Sequence, residues 1–392
     1  MNSLLNRSPE AWRQLQGLHT AEEIAQQAQV WRELGQRLLS QQGQIDAFLN
    51  NWLAQPGHLV ILTGAGSSAY CGEGVVERIN KTWAAEVRAV PTTSLISHPG
   101  LYLERGRPTL LVSFARSGNS PESLGAVDLL RQLVDAPRFL NITCNAEGSL
   151  YTRNQAQADT LNLLMPAASC DRGFAMTSSF SSMQLAALMA FSSEPWAQRH
   201  ERLEALAAQA QTLLGEWAAP VAALAQQPFS RIVYLGAGPL EALAKEAALK
   251  VLELTCGRVL AFANTPLGFR HGPKSILDNN TLVVLFLSSD AHARRFDEDL
   301  LAELQRDRVA GRVLVLGCGS PQTDAEQWLC APDAPLLTGG DEWLAPLWLL
   351  MAQQYALQRS VALGLTPDNP FPDGTVNRVV QGVTLHPYVE RG

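Results

Sequence analysis

The sequence predicts an α/β chain in which one sheet-and-helix unit occurs twice in tandem, behind a helical lead and ahead of an irregular tail. Three observations predict it. Apolar runs of strand length alternate with longer helical stretches. Two of those runs break into the same Gly-Ala-Gly turn, and the two turns, at Gly64 and Gly236, lie about 170 residues apart. The 392-residue length exceeds one ordinary core. Strands that alternate with helices give a mainly parallel sheet covered on both faces, of the flavodoxin-like or Rossmann-like kind.

Residues 1–50 read as the helical lead, with Thr20 and Glu23 spaced as a capping box. The first unit spans 51–215. Leu59 to Thr63 is a buried strand that meets Gly64-Ala65-Gly66-Ser67-Ser68, and further strands follow at Thr109 to Phe114, Phe139 to Thr143 and Leu161 to Met165. Leu203 to Ser230, helical in composition, is the joint. The second unit spans 216–392, with strands at Ile232 to Leu235, Leu282 to Leu287 and Val313 to Leu316. From Thr366 onward Pro367, Pro370, Pro372 and Gly374 predict an irregular tail.

Composition excludes several functions. Hydrophobic residues make up 46% and charged residues 17%, which suits a packed globular enzyme. The net charge of −7 does not attract nucleic acid or an anionic membrane, so an anionic ligand must be held by local donors. Six scattered cysteines without a Cys-x-x-Cys pair fit free thiols in a reducing compartment. Neither a signal-like apolar start nor a membrane-length apolar run occurs, so the expectation is a soluble cytoplasmic protein.

Two motifs carry chemistry in the first unit. In Gly64-Ala65-Gly66-Ser67-Ser68 the glycines admit close backbone approach to a ligand, although a ligand-free tight turn explains the same residues. The dinucleotide fingerprint is incomplete, because position 69 is Ala. Ser113-Phe114-Ala115-Arg116-Ser117-Gly118-Asn119-Ser120-Pro121-Glu122-Ser123 is more specific. Pro121 at the first helical position leaves Ser120 as N-cap, and hydroxyls, amides and one guanidinium then converge as a phosphate dianion requires. A plainer reading has these serines capping and solvating a loop. The second unit's counterpart, Ser288-Ser289-Asp290-Ala291-His292, lacks the Ser-Gly-x-Ser core and adds a carboxylate, so one phosphate site per chain is expected. Glu246, Lys250 and Glu253 are spaced by four and three and share one helix face. A surface ion pair would account for them. Yet Ala242, Ala244, Ala247, Ala248 and Leu249 make the surroundings apolar, which points to a site or an interface.

Gly-Ala-Gly-Ser-Ser followed by Ser-Phe-Ala-Arg-Ser-Gly-Asn-Ser-Pro-Glu-Ser, with a second copy of the fold, resembles the double sugar-isomerase (SIS) domain proteins from about Leu59 onward. The strings Asp171 to Ser179, Gly268 to Lys274 and Gly374 to Val383 resemble the AgaS-type galactosamine-6-phosphate deaminase/isomerase proteins. The resemblance implies a phosphate cradle of Ser67, Ser68, Arg116, Ser117 and Ser120, with Arg116 where relatives that make glucosamine 6-phosphate carry an uncharged amide. Lys250, Glu253 and His271 are similar to residues of the synthase isomerase domain. There the glutamate moves a proton between C1 and C2, and the histidine assists ring opening from a neighbouring subunit. The resemblance therefore implies a homodimer or larger homo-oligomer with shared sites.

One departure bears on mechanism. Gln381 stands where the synthases have a Schiff-base lysine, and an amide forms no imine. No glutaminase domain is present to generate ammonia, so release of ammonia from an amino sugar is the direction implied. General acid–base chemistry of this kind calls for neither metal nor redox cofactor, and no metal-ligand spacing occurs in the sequence. Plain aldose–ketose isomerisation and non-catalytic sugar-phosphate sensing remain alternatives. The chemical role of Asp171-Arg172-Gly173 is not legible.

Overall fold

Long, unbroken apolar runs dictate the two sheets. The computed structural model describes residues 3–153, 155, 157–319, 326–330, 334–380 and 382–389. Gln381 lies outside them. The first sheet holds β1 (Leu59–Thr63), β2 (Glu86–Ala89), β3 (Thr109–Ala115), β4 (Pro137–Thr143) and β5 (Thr160–Leu164), all parallel, in the order β2-β1-β3-β4-β5. The second holds β6 (Arg231–Leu235), β7 (Leu260–Asn264), β8 (Thr281–Phe286), β9 (Arg312–Cys318) and β10 (Glu326–Cys330), also all parallel, in the equivalent order β7-β6-β8-β9-β10. Every residue of β1, β3 and β8 is buried, as a parallel strand covered on both faces must be.

The chain forms two compact units, each assembled from separated segments. The unit with the first sheet takes Val30–Asp171, Ser178–His200 and the tail from Gly374. Its core joins Leu59, Ile61, Leu111 and Phe139 of the strands to Ala126, Leu130 and Leu133 of the helix Pro121–Leu133. The helix Ser178–Phe191 is buried at all 14 positions, which fits its sequence, apolar or small nearly all round.

The unit with the second sheet takes the chain up to Gln29, Arg172–Thr177 and Glu201–Asp373. Val233, Leu235, Val283, Leu285 and Val315 meet Leu300, Leu301 and Leu304 of the helix Ala291–Asp307. The helix Trp196–Ala225 covers most of the stretch read as the joint. After the helix Asp341–Ala362 no described residue is in a helix or strand.

The capping box of Thr20 and Glu23 is corrected. The helix Leu18–Ala25 starts at Gly17, which supplies no side-chain cap. Asp368 supplies it instead: its carboxylate accepts from the backbone N–H of His19 at 3.0 Å and of Thr20 at 2.8 Å, and from the Thr20 hydroxyl at 2.8 Å. Thr20 is thus the third residue of the helix. Glu23 is turned to the amides of Arg172 and Gly173, with Gly173 N–H 3.2 Å from each carboxylate oxygen. An acceptor 348 residues away satisfies the orphan donors as well as a local one does. Loss of an N-cap costs about 0.5–2 kcal/mol. Asp368→Ala is therefore expected to lower the urea midpoint of this unit by that amount of stability, and Asp368→Asn to recover part of it. An unchanged midpoint would show that the cap carries no stability.

Candidate active site

Each sheet reverses its winding between two adjacent strands, β1 with β3 and β6 with β8. At such a switch point the connections leave toward opposite faces and open a crevice beyond the carboxyl ends of the strands, where ligands of this fold class bind. The sequence-predicted cradle residues fall on the two connections at the first switch point, Ser67 and Ser68 opening the helix Ser67–Glu73. Ser67 and Ser68 follow β1, and Arg116, Ser117 and Ser120 follow β3.

The loop after β1 needs its glycines. A Cβ on Gly64 would lie 2.5 Å from the backbone of Ser68, and Gly66 has φ +57°. Ser67 and Ser68 are buried. The loop after β3 is held from beneath by the end of β4. The Thr143 hydroxyl donates to the Ala115 carbonyl at 2.8 Å, Asn145 Nδ2 donates to the Ser117 carbonyl at 2.9 Å, and Leu150 N–H donates to the Gly118 carbonyl at 2.9 Å. Gly118 has φ +64°. Ser120 caps the helix Pro121–Leu133, accepting from Ser123 N–H at 3.3 Å and donating to the Ser123 hydroxyl at 2.7 Å. Ser117 Oγ accepts from Asn119 N–H at 3.3 Å. Arg116 is only 7% exposed, and its guanidinium donates to the Arg378 carbonyl at 2.8 Å.

The second switch point has been given to an internal anion. Asp341 accepts from the Ser288 hydroxyl at 2.5 Å, the Ser289 N–H at 2.6 Å and the Ser289 hydroxyl at 2.6 Å. Buried Asp297 accepts from Ser288 N–H at 2.9 Å. Burial raises the Asp297 carboxyl to about 7, the Ser288 amide opposing and the Asp341 charge adding to the rise. Asp290, which the sequence marks as the repelling carboxylate, instead caps the helix Ala291–Asp307 through His292 and Ala293 N–H.

Glu246, Lys250 and Glu253 lie on the helix Pro239–Leu254 of the second-sheet unit, as their spacing predicts. The surface-pair reading fails, because Glu246 and Lys250 are fully buried. The Lys250 ammonium lies 3.2 Å from Glu246 and 2.7 Å from Glu253. Burial alone would depress the ammonium, but the two carboxylates outweigh it and raise its pKa. The ammonium thus stays charged at neutral pH, and its contribution to stability is lost only when alkaline pH passes that raised value. Glu253, with 24% of its side chain exposed, reaches solvent where Glu246 does not.

His271 is exposed, on the loop after the turn Pro266–Phe269, and Gly272 beside it has φ +115°. Arg270 bonds Glu303 at 2.8 Å and Lys274 bonds both Glu303 and Asp307, so ion pairs to one helix fasten the loop on either side of His271. Among the described residues no hydrogen bond or ion pair joins His271 to Glu246, Lys250 or Glu253. Sequence reasoning missed Asp341, Asn145 and Arg378. Arg378 stands in a string that carries the family resemblance, but nothing in that string shows what it touches.

A D-galactosamine-6-phosphate deaminase AgaS from Shewanella sp. strain ANA-3 is 41% identical, covering 99% of this chain and 97% of the relative. The chain belongs to the AgaS family. A second member, the D-galactosamine-6-phosphate deaminase AgaS of Escherichia coli, is 43% identical over 95% of this chain and 96% of its own. The solved structure of tagatose-6-phosphate ketose/aldose isomerase from Escherichia coli matches with a TM-score of 0.87 at 39% identity, covering 95% of this chain and 97% of that one. No protein-family model matches the chain. Like these relatives, the chain is an enzyme of the SIS class.

The buried triad yields a stability prediction. Removing one partner of a buried ion pair costs about 3–5 kcal/mol, because the other charge is left uncompensated. Lys250→Met is expected to lower the thermal midpoint sharply, and adding Glu246→Gln to restore most of the loss. A double variant as unstable as the single one would show that Glu246 does not depend on Lys250.

Proposed function

We propose that this protein converts galactosamine 6-phosphate and water to tagatose 6-phosphate and ammonium, by an aldose–ketose proton transfer followed by imine hydrolysis. The buried Glu246–Lys250–Glu253 triad carries this reading, because it presents one ordered carboxylate toward solvent beside a fully buried ion pair. The AgaS relatives, named as D-galactosamine-6-phosphate deaminases, supply the substrate class.

Each group has one role. Ser67, Ser68, Arg116, Ser117 and Ser120 bind the phosphate. His271 acts on the ring oxygen and opens the sugar to its aldehyde. Glu253 takes the C2 proton, and the resulting enolamine is protonated at C1 to give a C2 imine and a C1 hydroxymethyl group. Water adds to the imine and ammonium leaves. Lys250 has no solvent-facing surface, so its part is to donate to one Glu253 oxygen and fix the carboxylate in place.

The protein further reads as a cytoplasmic homo-oligomer of two tandem repeats, residues 51–215 and 216–392, with His271 given across a subunit boundary. Supporting this are the free cysteines Cys71, Cys144, Cys170, Cys256 and Cys318 and the exposed apolar Val376, Val380, Val383, Leu385 and Val389 of the tail. Among the described residues no helix is long and apolar enough to cross a membrane.

A second reading follows from the isomerase name of the Escherichia coli structure. Plain isomerisation uses the same proton transfer on a C2 hydroxyl, and ammonium release separates the two. With galactosamine 6-phosphate the wild type is expected to release ammonium and, in deuterium oxide, to place deuterium at C1 of the ketose. Glu253→Gln keeps the shape but removes the base, so kcat should fall about 10²- to 10⁴-fold with KM little changed. Near-normal turnover by that variant would remove Glu253 from the mechanism. Turnover without ammonium would favour the isomerase.

A further inference from the structure

The tail from Gly374 belongs to the same compact unit as the phosphate loops, although more than 250 residues separate Arg116 from Arg378. It is fastened there at two places. At one, the Arg378 guanidinium donates to the main-chain carbonyl of Asp171. Asp171 is itself fully buried. Its carboxylate caps the wholly buried helix Ser178–Phe191, accepting from Ser178 N–H at 3.1 Å, Ser179 N–H at 2.9 Å and the Ser179 hydroxyl at 2.5 Å. This gives a purpose to the start of the Asp171-Arg172-Gly173 string, since it turns a helix cap into a fixed acceptor for the tail.

The second fastening uses two glycines. A Cβ on Gly125, in the helix Pro121–Leu133, would come within 2.8 Å of Leu385 Cδ1, and one on Gly100 within 2.9 Å of the Tyr388 hydroxyl oxygen. Gln132 Nε2 also donates to the Tyr388 carbonyl at 3.3 Å. The tail therefore lies over Ile96, Gly125 and Leu129 as a strap.

A polar link joins these fastenings to the cradle. Arg116 Nη2 donates to the Arg378 carbonyl, so the guanidinium is anchored through a peptide group whose own side chain is pinned to Asp171. A guanidinium has five N–H donors in a rigid fork, and using one of them on a fixed carbonyl sets the direction of the others. An arginine on a flexible stem must otherwise give up rotamer freedom when it takes a phosphate.

We propose that Arg378 is a positioning residue for phosphate binding: by holding the tail on Asp171 it presents the carbonyl that aims the Arg116 guanidinium at the phosphate. Arg378 itself touches no substrate in this account. The inference rests on the reading of Arg116 as a phosphate ligand.

Steady-state kinetics on the full-length protein test it. Freeing one immobilised side chain is worth about three- to tenfold in affinity. Arg378→Ala is expected to raise KM for galactosamine 6-phosphate by that factor with kcat nearly unchanged, and to weaken competitive inhibition by inorganic phosphate to the same extent. Arg378→Lys keeps a donor for the Asp171 carbonyl and should restore most of the affinity. Gly125→Val, which displaces Leu385 from a distance, should move KM in the same direction. The deciding measurement is the pair with Arg116→Ala. Once Arg116 is gone, Arg378→Ala should add nothing, because both act through one guanidinium. A wild-type KM for Arg378→Ala, or effects of the two substitutions that multiply, would overturn the positioning role while leaving the cradle intact. A wild-type KM for Arg116→Ala would overturn the cradle and this inference with it.

Discussion

The reversal of strand order in each sheet is the constraint on which the rest of the molecule depends. Parallel strands point their carboxyl ends the same way, and only where neighbouring strands send their connections to opposite faces does a crevice form between the loops. The chain builds that arrangement twice, at β1 with β3 and at β6 with β8. With a net charge of −7 it cannot attract an anion by its overall field, so each crevice depends on its own loops. At the first lie Ser67 and Ser68 after β1 and Arg116, Ser117 and Ser120 after β3. At the second, Asp341 takes the three donors of Ser288 and Ser289, and buried Asp297 takes the amide of Ser288. A carboxylate carried by the protein does there what a bound phosphate would do, and repeated folds end with different chemistry.

The second-sheet unit also holds three charges together on the helix Pro239–Leu254. A fully buried ammonium is unfavourable by itself. Two carboxylates within 3.2 Å reverse that, and they divide the roles between them. Glu246 is sealed with the lysine and compensates its charge. Glu253 shares the ammonium yet keeps a surface to solvent, which suits an acid–base group that must be ordered before substrate arrives.

How much was legible follows from how local each signal is. β1, β3, β4 and β8 are built around largely apolar, buried runs and were readable within a residue or two. β2, Glu86-Val87-Arg88-Ala89, and β7 were not, because they are edge strands, half-buried, and need no unbroken apolar pattern. Ser120 as N-cap was readable, since Pro121 beside it announces the helix start. The cap of the helix Leu18–Ala25 was not, because Asp368 supplies it from the far end of the chain. The spacing of Glu246, Lys250 and Glu253 gave their shared face, and the alanines around them pointed away from a plain surface pair, as the full burial of Glu246 and Lys250 bears out. Asp341 and Arg378 escaped notice for the same reason as Asp368: their partners are fixed only once the chain has folded.

One proposed phosphate site per chain, at the first switch point and independent of Glu253, is the central claim. Calorimetric titration of galactosamine 6-phosphate into the Glu253→Gln variant measures it without turnover. The account predicts one sugar phosphate bound per chain, with the binding lost when Ser117→Ala and Arg116→Ala are added to that variant. Two equivalents per chain, or one equivalent that survives the loss of both cradle residues, would contradict it.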